Sequence, residues 1–299
     1  MSKGLLYALL AYLAWGFLPL YWKVLGDIPA GEILGHRVLW SVVFLTALLL
    51  ITRQGKACIG ALKDKRTTVL VTLSSLLISC NWLVFIWAVN NGYMVETSLG
   101  YYMNPLLSVL LGVVFLKERL HAGQWTAIGL AFGGVVVVTV EHGRLPWVSL
   151  VLAASFAFYG LLKKKVNLDS TIGLAWETGI VTPVALVYLV FIQYTGDAAA
   201  GSIGMGRLLL LLLSGAATVM PLFWFAQATK HLPLSTIGFI QYIAPTITLA
   251  IGVLVYGEAF DLTRLISFGM IWSALVVYTV SSYRFSRRTS RLARASEAA

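Results

Sequence analysis

Charged side chains are scarce in this chain: Asp, Glu, Lys and Arg make up 11% of its 299 residues, where soluble domains carry about 25%. With 59% of its residues apolar, the sequence does not describe a water-soluble enzyme. Cysteine is almost absent. Cys58 and Cys80 have neither CxxC spacing nor histidine partners, which argues against a disulfide framework and a metal site. The twelve acids are scattered and the four histidines isolated, so no metal-binding carboxylate cluster and no Ser/His/Asp set emerges. The glycine-containing loop GSIGMGR, residues 201–207, lacks a following Lys-Ser or Lys-Thr and is rejected as a phosphate cradle. No cofactor is implied. Without an ATP motif, uphill movement of a solute has to draw on an ion or solute gradient.

What the sequence has is long apolar runs. A hydrocarbon core about 30 Å thick needs about 20 mostly apolar residues per helix. Ten such runs are found, at about 4–22, 32–52, 67–89, 93–116, 122–140, 147–162, 171–194, 207–229, 235–256 and 262–283. The first is too long for a cleavable signal and no Ala-x-Ala site follows it, so it is read as a retained span. Basic residues set the orientation. With both termini in the cytoplasm, 17 of the 22 Lys and Arg residues fall on the inner side, among them Lys163, Lys164, Lys165 and the five arginines of the tail. That tail, residues 284–299, is read as a topogenic segment facing anionic lipid, with no nucleic-acid role.

An offset of 140 residues aligns the two halves of the chain. Pro105 meets Pro245, Tyr102 meets Tyr242, Gly112 meets Gly252, Glu118 meets Glu258 and Lys23 meets Lys163. Each half holds an odd number of spans, so the second sits upside down. The expected fold is an all-α polytopic membrane protein of ten transmembrane helices in a 5+5 inverted repeat, residues 1–140 and 141–283, a plan that places a solute site near the midplane.

The segments EILGHRVLWSVVF, NWLVFIWAVNNG, SLGYYMNPLLSVLLGV, SFAFYGLLKK and GFIQYIAPT resemble the RarD branch of the EamA-type transporters, in the drug/metabolite transporter superfamily. The resemblance spans nearly the whole chain; Tyr102-Met103-Asn104-Pro105 stands where a Phe-Ile-Asn-Pro type is usual. It implies a ten-helix bacterial inner-membrane permease. Its central cavity would be formed mainly by the third, fourth, eighth and ninth helices, with the first and sixth contributing. The chloramphenicol-sensitivity label common in this branch does not establish a physiological substrate.

Helical spacing puts Thr97, Tyr101, Asn104 and Ser108 on one face of the fourth span, and Gly238, Gln241, Pro245 and Thr248 on the matching face of the ninth. Pro105 and Pro245 each remove a backbone donor near mid-span and are expected to break the helix there. Two related polar stripes favour a cavity lining over interhelical packing. The expected substrate-binding residues are Trp15, Asn81, Trp82, Tyr101, Tyr102, Asn104, Trp224, Gln241 and Tyr242, whose indoles and phenols suit flat, amphipathic or cationic solutes. Trp125, Trp147 and Trp272 are read as interfacial belt residues, and Gly129 with Gly133 as a close-packing face.

Charges within spans are candidates for coupling or gating: His36, Arg37, Glu96 and Glu177. Similar depth suggests an Arg37–Glu96 pair, either static or split into a carboxylate clamp at Arg37 and a proton-coupling carboxylate at Glu96 or Glu177. Glu177 enters from the opposite face and is not expected to reach Arg37, while His36 is expected to be neutral and hydrogen-bonded. The function read from these features is a secondary transporter exporting a small amphipathic metabolite or drug-like solute by alternating access, with protons as the candidate coupling ion. A channel or uncoupled facilitator and an integral-membrane enzyme are the alternatives, and the oligomer is left open between monomer and homodimer.

The topology is testable without a substrate. Lys164→Cys is expected to react with an impermeant maleimide only from the cytoplasmic side and Asp197→Cys only from the outside; labelling of Lys164→Cys from outside would overturn the inverted arrangement.

Overall fold

The protein, here a computed structural model, is described at residues 2–90, 93–142, 147–199, 201, 203–257 and 262–297; the side chains of residues 86, 89–90, 94–96, 98, 138, 142, 264 and 286–297 are excepted. The described chain is helical and contains ten candidate membrane spans. In order the helices are α1 (Lys3–Val24), α2 (Ala30–Ile51), a short α3 (Gly55–Gly60), α4 (Lys65–Asn90), α5 (Met94–Leu116), α6 (Ala122–His142), α7 (Trp147–Lys165), α8 (Ser170–Thr195), α9 (Met205–His231), α10 (Leu234–Gln241), α11 (Ile243–Leu254) and α12 (Leu262–Glu297). The pair α10–α11 forms one span, Leu234–Leu254.

Apolar composition makes these segments helical in lipid, because only a helix satisfies a spanning segment's backbone internally. Their ends are marked by local chemistry. Ser2 Oγ accepts from Leu5 N–H at 3.3 Å, and Asp169 Oδ1 from Thr171 N–H at 2.9 Å. Glu118, between α5 and α6, caps a distant helix: its two carboxylate oxygens accept from the N–H groups of Leu234 and Ser235 at 2.6 and 2.9 Å. A negative group at the start of α10 also suits the helix dipole. Lys117 and Gly257, 140 residues apart, close α5 and α11 in left-handed conformation, φ 55° and 66°.

The outer surface is greasy: Val184, Val187, Leu254 and Ile51 are each 70% exposed or more. Trp125, Trp147 and Trp272 are also exposed, at 52%, 49% and 39%. Inside, α6 packs on α12, α5 on α7 and α10, α1 on α9 and α11, α2 on α8 and α9, and α4 on α7 and α8. The contact of α2 with α9 is backbone to backbone, since a Cβ at Gly215 would lie 2.2 Å from the Trp40 carbonyl carbon.

Three local expectations are corrected. α5 runs unbroken through Pro105, while the break in the ninth span falls at Tyr242 and Pro245 sits in the first turn of α11. The neighbourhood of Pro105 is shared with α10: Gly238 packs against the Pro105 carbonyl, and Tyr242 OH makes a long 3.3 Å bond to Tyr102 O. Gly129 has open space around it. Close packing in α6 instead involves Gly133 and Gly134, the latter facing the Ser267 carbonyl and accepting from Ser267 Oγ at 2.8 Å.

Because its neighbour is backbone, Gly215 cannot be enlarged by moving a side chain. Gly215→Ala is expected to push α2 from α9 at a cost of about 1–3 kcal/mol, read as a lower Tm of the purified protein; an unchanged Tm would contradict the contact.

Candidate functional site

The centre of the bundle is aromatic. Trp15 of α1 meets Tyr12, Phe156 and Phe225 with ring centres 5.3, 5.6 and 5.7 Å away, and Tyr159 stacks on Phe225 at 5.9 Å. These rings come from α1, α7 and α9, and Trp82 and Trp224 pack against the same cluster. Their tilted and edge-on geometries are those that ring quadrupoles favour.

Between the end of α7 and the first turns of α8 lies a buried ion pair. Lys163 Nζ donates to Glu177 Oε1 at 3.1 Å, with the side chains 4% and 3% exposed. Ser74 Oγ donates to the same oxygen at 2.7 Å, Tyr159 OH to Oε2 at 3.1 Å, and Ser75 Oγ to the Glu177 backbone carbonyl at 2.7 Å. Four groups from α4 and α7 therefore converge on one residue of α8, which supplies the extra hydrogen bonds a buried pair needs. Lys163 was counted above as an inner-loop charge; it belongs to the interior. It ends an apolar run beside Lys164 and Lys165, and so reads as a flank. The signal that could have found it is Tyr159, one helical turn earlier on the same face.

Beside this pair a cavity of about 10 Å3 is lined by Ser79, Trp82, Tyr159, Glu177, Thr178 and Leu222, among others. That is room for one water, not for a solute.

On α2, Arg37 Nε donates to Thr218 Oγ1 at 3.1 Å, and its guanidinium lies over the rings of Trp22 and Trp82 at 4.5 and 5.3 Å. The Tyr21 and Tyr101 phenols are near enough to feel its charge. Tyr101 is 48% exposed and meets Phe85 edge-on at 6.0 Å. The Glu96 side chain, and with it the expected Arg37–Glu96 pair, lies outside the described residues. His36 Nε2 is 4.0 Å from Glu32 Oε1, but its buried Nδ1 has no hydrogen-bond partner among the described residues, contrary to the expected bonded histidine.

The remaining expected residues divide. Trp15, Trp82 and Trp224 meet at the aromatic cluster, and Trp82 and Tyr101 also approach Arg37. Asn81 is engaged by α7, donating to Leu152 O and Ser155 Oγ at 2.9 Å each. Asn104, 3% exposed, accepts a long bond from Ser108 within α5; Gln241, 6% exposed, accepts one of 3.5 Å from Tyr12. Tyr102 packs on Phe268 and Tyr242 is buried beside it. Of the two stripes, Gly238 packs against Pro105 and Ser108 of α5, while Gln241 and Thr248 turn to Tyr12 and Gly16 of α1. Among the described residues, no three His, Cys, Asp or Glu converge to hold a metal.

The profile of the EamA-like transporter family matches residues 2–140 and 145–280. The chain is 46% identical to the transporter YojE of Bacillus subtilis (strain 168), over 96% of each chain. It is 42% identical to the protein RarD of Escherichia coli (strain K12), over 97% of this chain and 98% of that one. It is 30% identical to a chloramphenicol-sensitive protein RarD of Pseudomonas aeruginosa, over 97% of this chain and 98% of that one. A crystal structure of a protein at 17% identity superposes with a TM-score of 0.72, covering 95% of this chain and 99% of the other, and shares the fold.

Removing one partner of the buried pair strands the other. Lys163→Met or Glu177→Gln alone is expected to cost about 3–5 kcal/mol, seen as a large loss of Tm, and the double substitution to recover much of it. Additive losses in the double variant would show that the two residues do not act as a pair.

Proposed function

The chain belongs to the EamA-like transporter family, and we propose that it is a secondary transporter carrying a small amphipathic solute outward across the bacterial inner membrane by alternating access. Both termini lie in the cytoplasm, and the two five-helix halves move against each other about a central site. The family makes it a multi-pass transporter; the mechanism is our reading of the contacts.

One observation carries that reading: the inner ends of the helices are tied together across the bundle. Lys163 and Glu177 join α7 to α8. The Lys164 ammonium donates to the Leu232 carbonyl, Lys230 Nζ to Leu168 O at 2.6 Å, and Tyr7 stacks on His231 at 6.3 Å. The Glu118 cap adds a tie from the α5–α6 connection to α10. A solute at the aromatic centre reaches the cytoplasm only if these ties part. Support for two inverted halves comes from the family profile matching twice, and from Arg37 and Glu177: at equivalent positions, each bonds the third helix from the other half, α9 and α4. Glu177 is the carboxylate we assign to proton coupling, since protonating it would release Lys163.

A disulfide can hold the inner tie shut. A Cβ at Gly4 would lie 2.7 Å from His231 Cβ, so Gly4→Cys and His231→Cys meet directly, and the two helices have to part by about 1 Å to reach the disulfide Cβ spacing of about 3.8 Å. In a background lacking Cys58 and Cys80, Ser79→Cys beside the cavity is expected to react with an impermeant thiosulfonate in both right-side-out and inside-out vesicles. The Gly4–His231 cross-link should abolish only the labelling from inside. Inside labelling that ignores the cross-link would sink the alternating-access reading.

A further inference from the structure

Arg37 is a cation that the described residues hold in place without neutralising. Its Nε is fixed by Thr218 and its plane is flanked by Trp22 and Trp82, yet neither Nη donates to a described residue. Among the described residues no carboxylate lies within ion-pair distance of it. The nearest acid along its own helix, Glu32, points elsewhere: it is 1% exposed and accepts from Ala199 N–H at 2.8 Å. Glu177 is committed to Lys163. The Tyr21 and Tyr101 phenols lie within electrostatic reach of the guanidinium; Tyr21 OH donates to Leu210 O, and Tyr101 is 48% exposed.

A lone charge in the membrane interior is costly. Ring faces recover part of that cost; an ionised ligand recovers more, and the guanidinium fork matches a carboxylate in two parallel charge-assisted bonds. A cationic solute, allowed by the aromatic content alone, meets two obstacles. The indole faces that would receive it are already turned to Arg37, and it carries the same sign of charge. A doubly charged phosphate would call for a second cation, and no other described cation faces this one.

We infer that the transported solute is a carboxylate on a flat, apolar or aromatic body. Its carboxylate takes the Arg37 Nη atoms, and its body lies along Tyr101. This rests on the transporter reading and names its substrate class.

Binding can be measured apart from transport. Purified full-length protein in detergent would be titrated with benzoate and indole-3-acetate, with the uncharged amides of both, and with benzylamine and tryptamine. Thermal shift and equilibrium dialysis are the readouts. The carboxylates are expected to bind saturably and raise Tm, and the amides and amines to bind at least about tenfold more weakly, the loss of a charge-assisted pair. Arg37→Gln should remove the preference. Should that variant fold poorly, Arg37→Lys keeps the charge without the fork, and Thr218→Val frees Nε; each should weaken carboxylate binding severalfold. The inference is overturned if no carboxylate binds, if amides or amines bind as well as carboxylates, or if Arg37→Lys and Thr218→Val both leave carboxylate binding intact. Such a failure leaves the labelling test of alternating access standing. Conversely, carboxylate binding by a protein whose inside labelling ignores the cross-link would remove the transport reading and keep the ligand class.

Discussion

Hydrocarbon offers no hydrogen bonds, so every polar group in a spanning helix has to find its partner within the protein. Much of the described side-chain chemistry follows from this. Thr139, Thr178, Thr182, Thr246, Ser273 and Thr279 turn their hydroxyls back onto carbonyls four residues earlier, at 2.7–2.9 Å. These bonds use the hydroxyl proton within its own helix, and Thr246 Oγ1 also accepts from Trp272 Nε1 at 3.2 Å. Other polar groups reach across helices, where different parts of the chain meet: Asn81 to α7, Ser41 to α9, Glu118 to α10 and Glu177 to α4 and α7.

Arg37 and Glu177 show how related positions take on opposite tasks. Each lies seven residues beyond its helix's first residue, Ala30 in α2 and Ser170 in α8. Around Glu177, Ser75 donates to the backbone and Ser74 to the carboxylate; around Arg37, Ser41 bridges its own helix to Gly215 while Thr218 receives the guanidinium. The acid is given a lysine from α7. The arginine is given indoles and phenols, which accept its charge weakly and leave its fork unoccupied by any described residue.

How much of this could be read beforehand depends on how local the signal is. Span number and position followed from apolar runs alone, because length against bilayer thickness is a property of each segment. Arg37 and Glu177 were visible as charges well inside spans. Lys163 was not, since a lysine at the end of an apolar run is indistinguishable from a flanking charge until the depth of its partner is known. Asn104 and Gln241 were read as cavity-facing from periodicity, which says that a stripe faces something but not whether it is water or a helix; both are buried, with Ser108 and Tyr12 as their bonded neighbours. Gly129 satisfied a spacing rule yet points away from its neighbours, and the contact lies at Gly133 and Gly134. The ninth span breaks at Tyr242 rather than at Pro245 because a proline disturbs the turn before it, where its ring meets the carbonyl four residues back.

The inner tie has a physical property that suits a gate. Two unit charges about 4 Å apart attract by about 4 kcal/mol at an effective dielectric of 20, and by about 1 kcal/mol in water. The Lys163–Glu177 bond is therefore strong only while its surroundings stay dry, and the adjoining cavity of about 10 Å3 admits one water at most. Were these helix ends to separate and water to enter, hydration would compensate both ions and the attraction that held them would largely disappear. Closure reverses the sequence: expelling water strengthens the pair, and the pair with its three hydroxyl donors then excludes water. In the alternating-access reading proposed above, dryness and bonding that reinforce each other would give an equilibrium two stable ends and little between them, the bistability that a transporter needs in order not to leak.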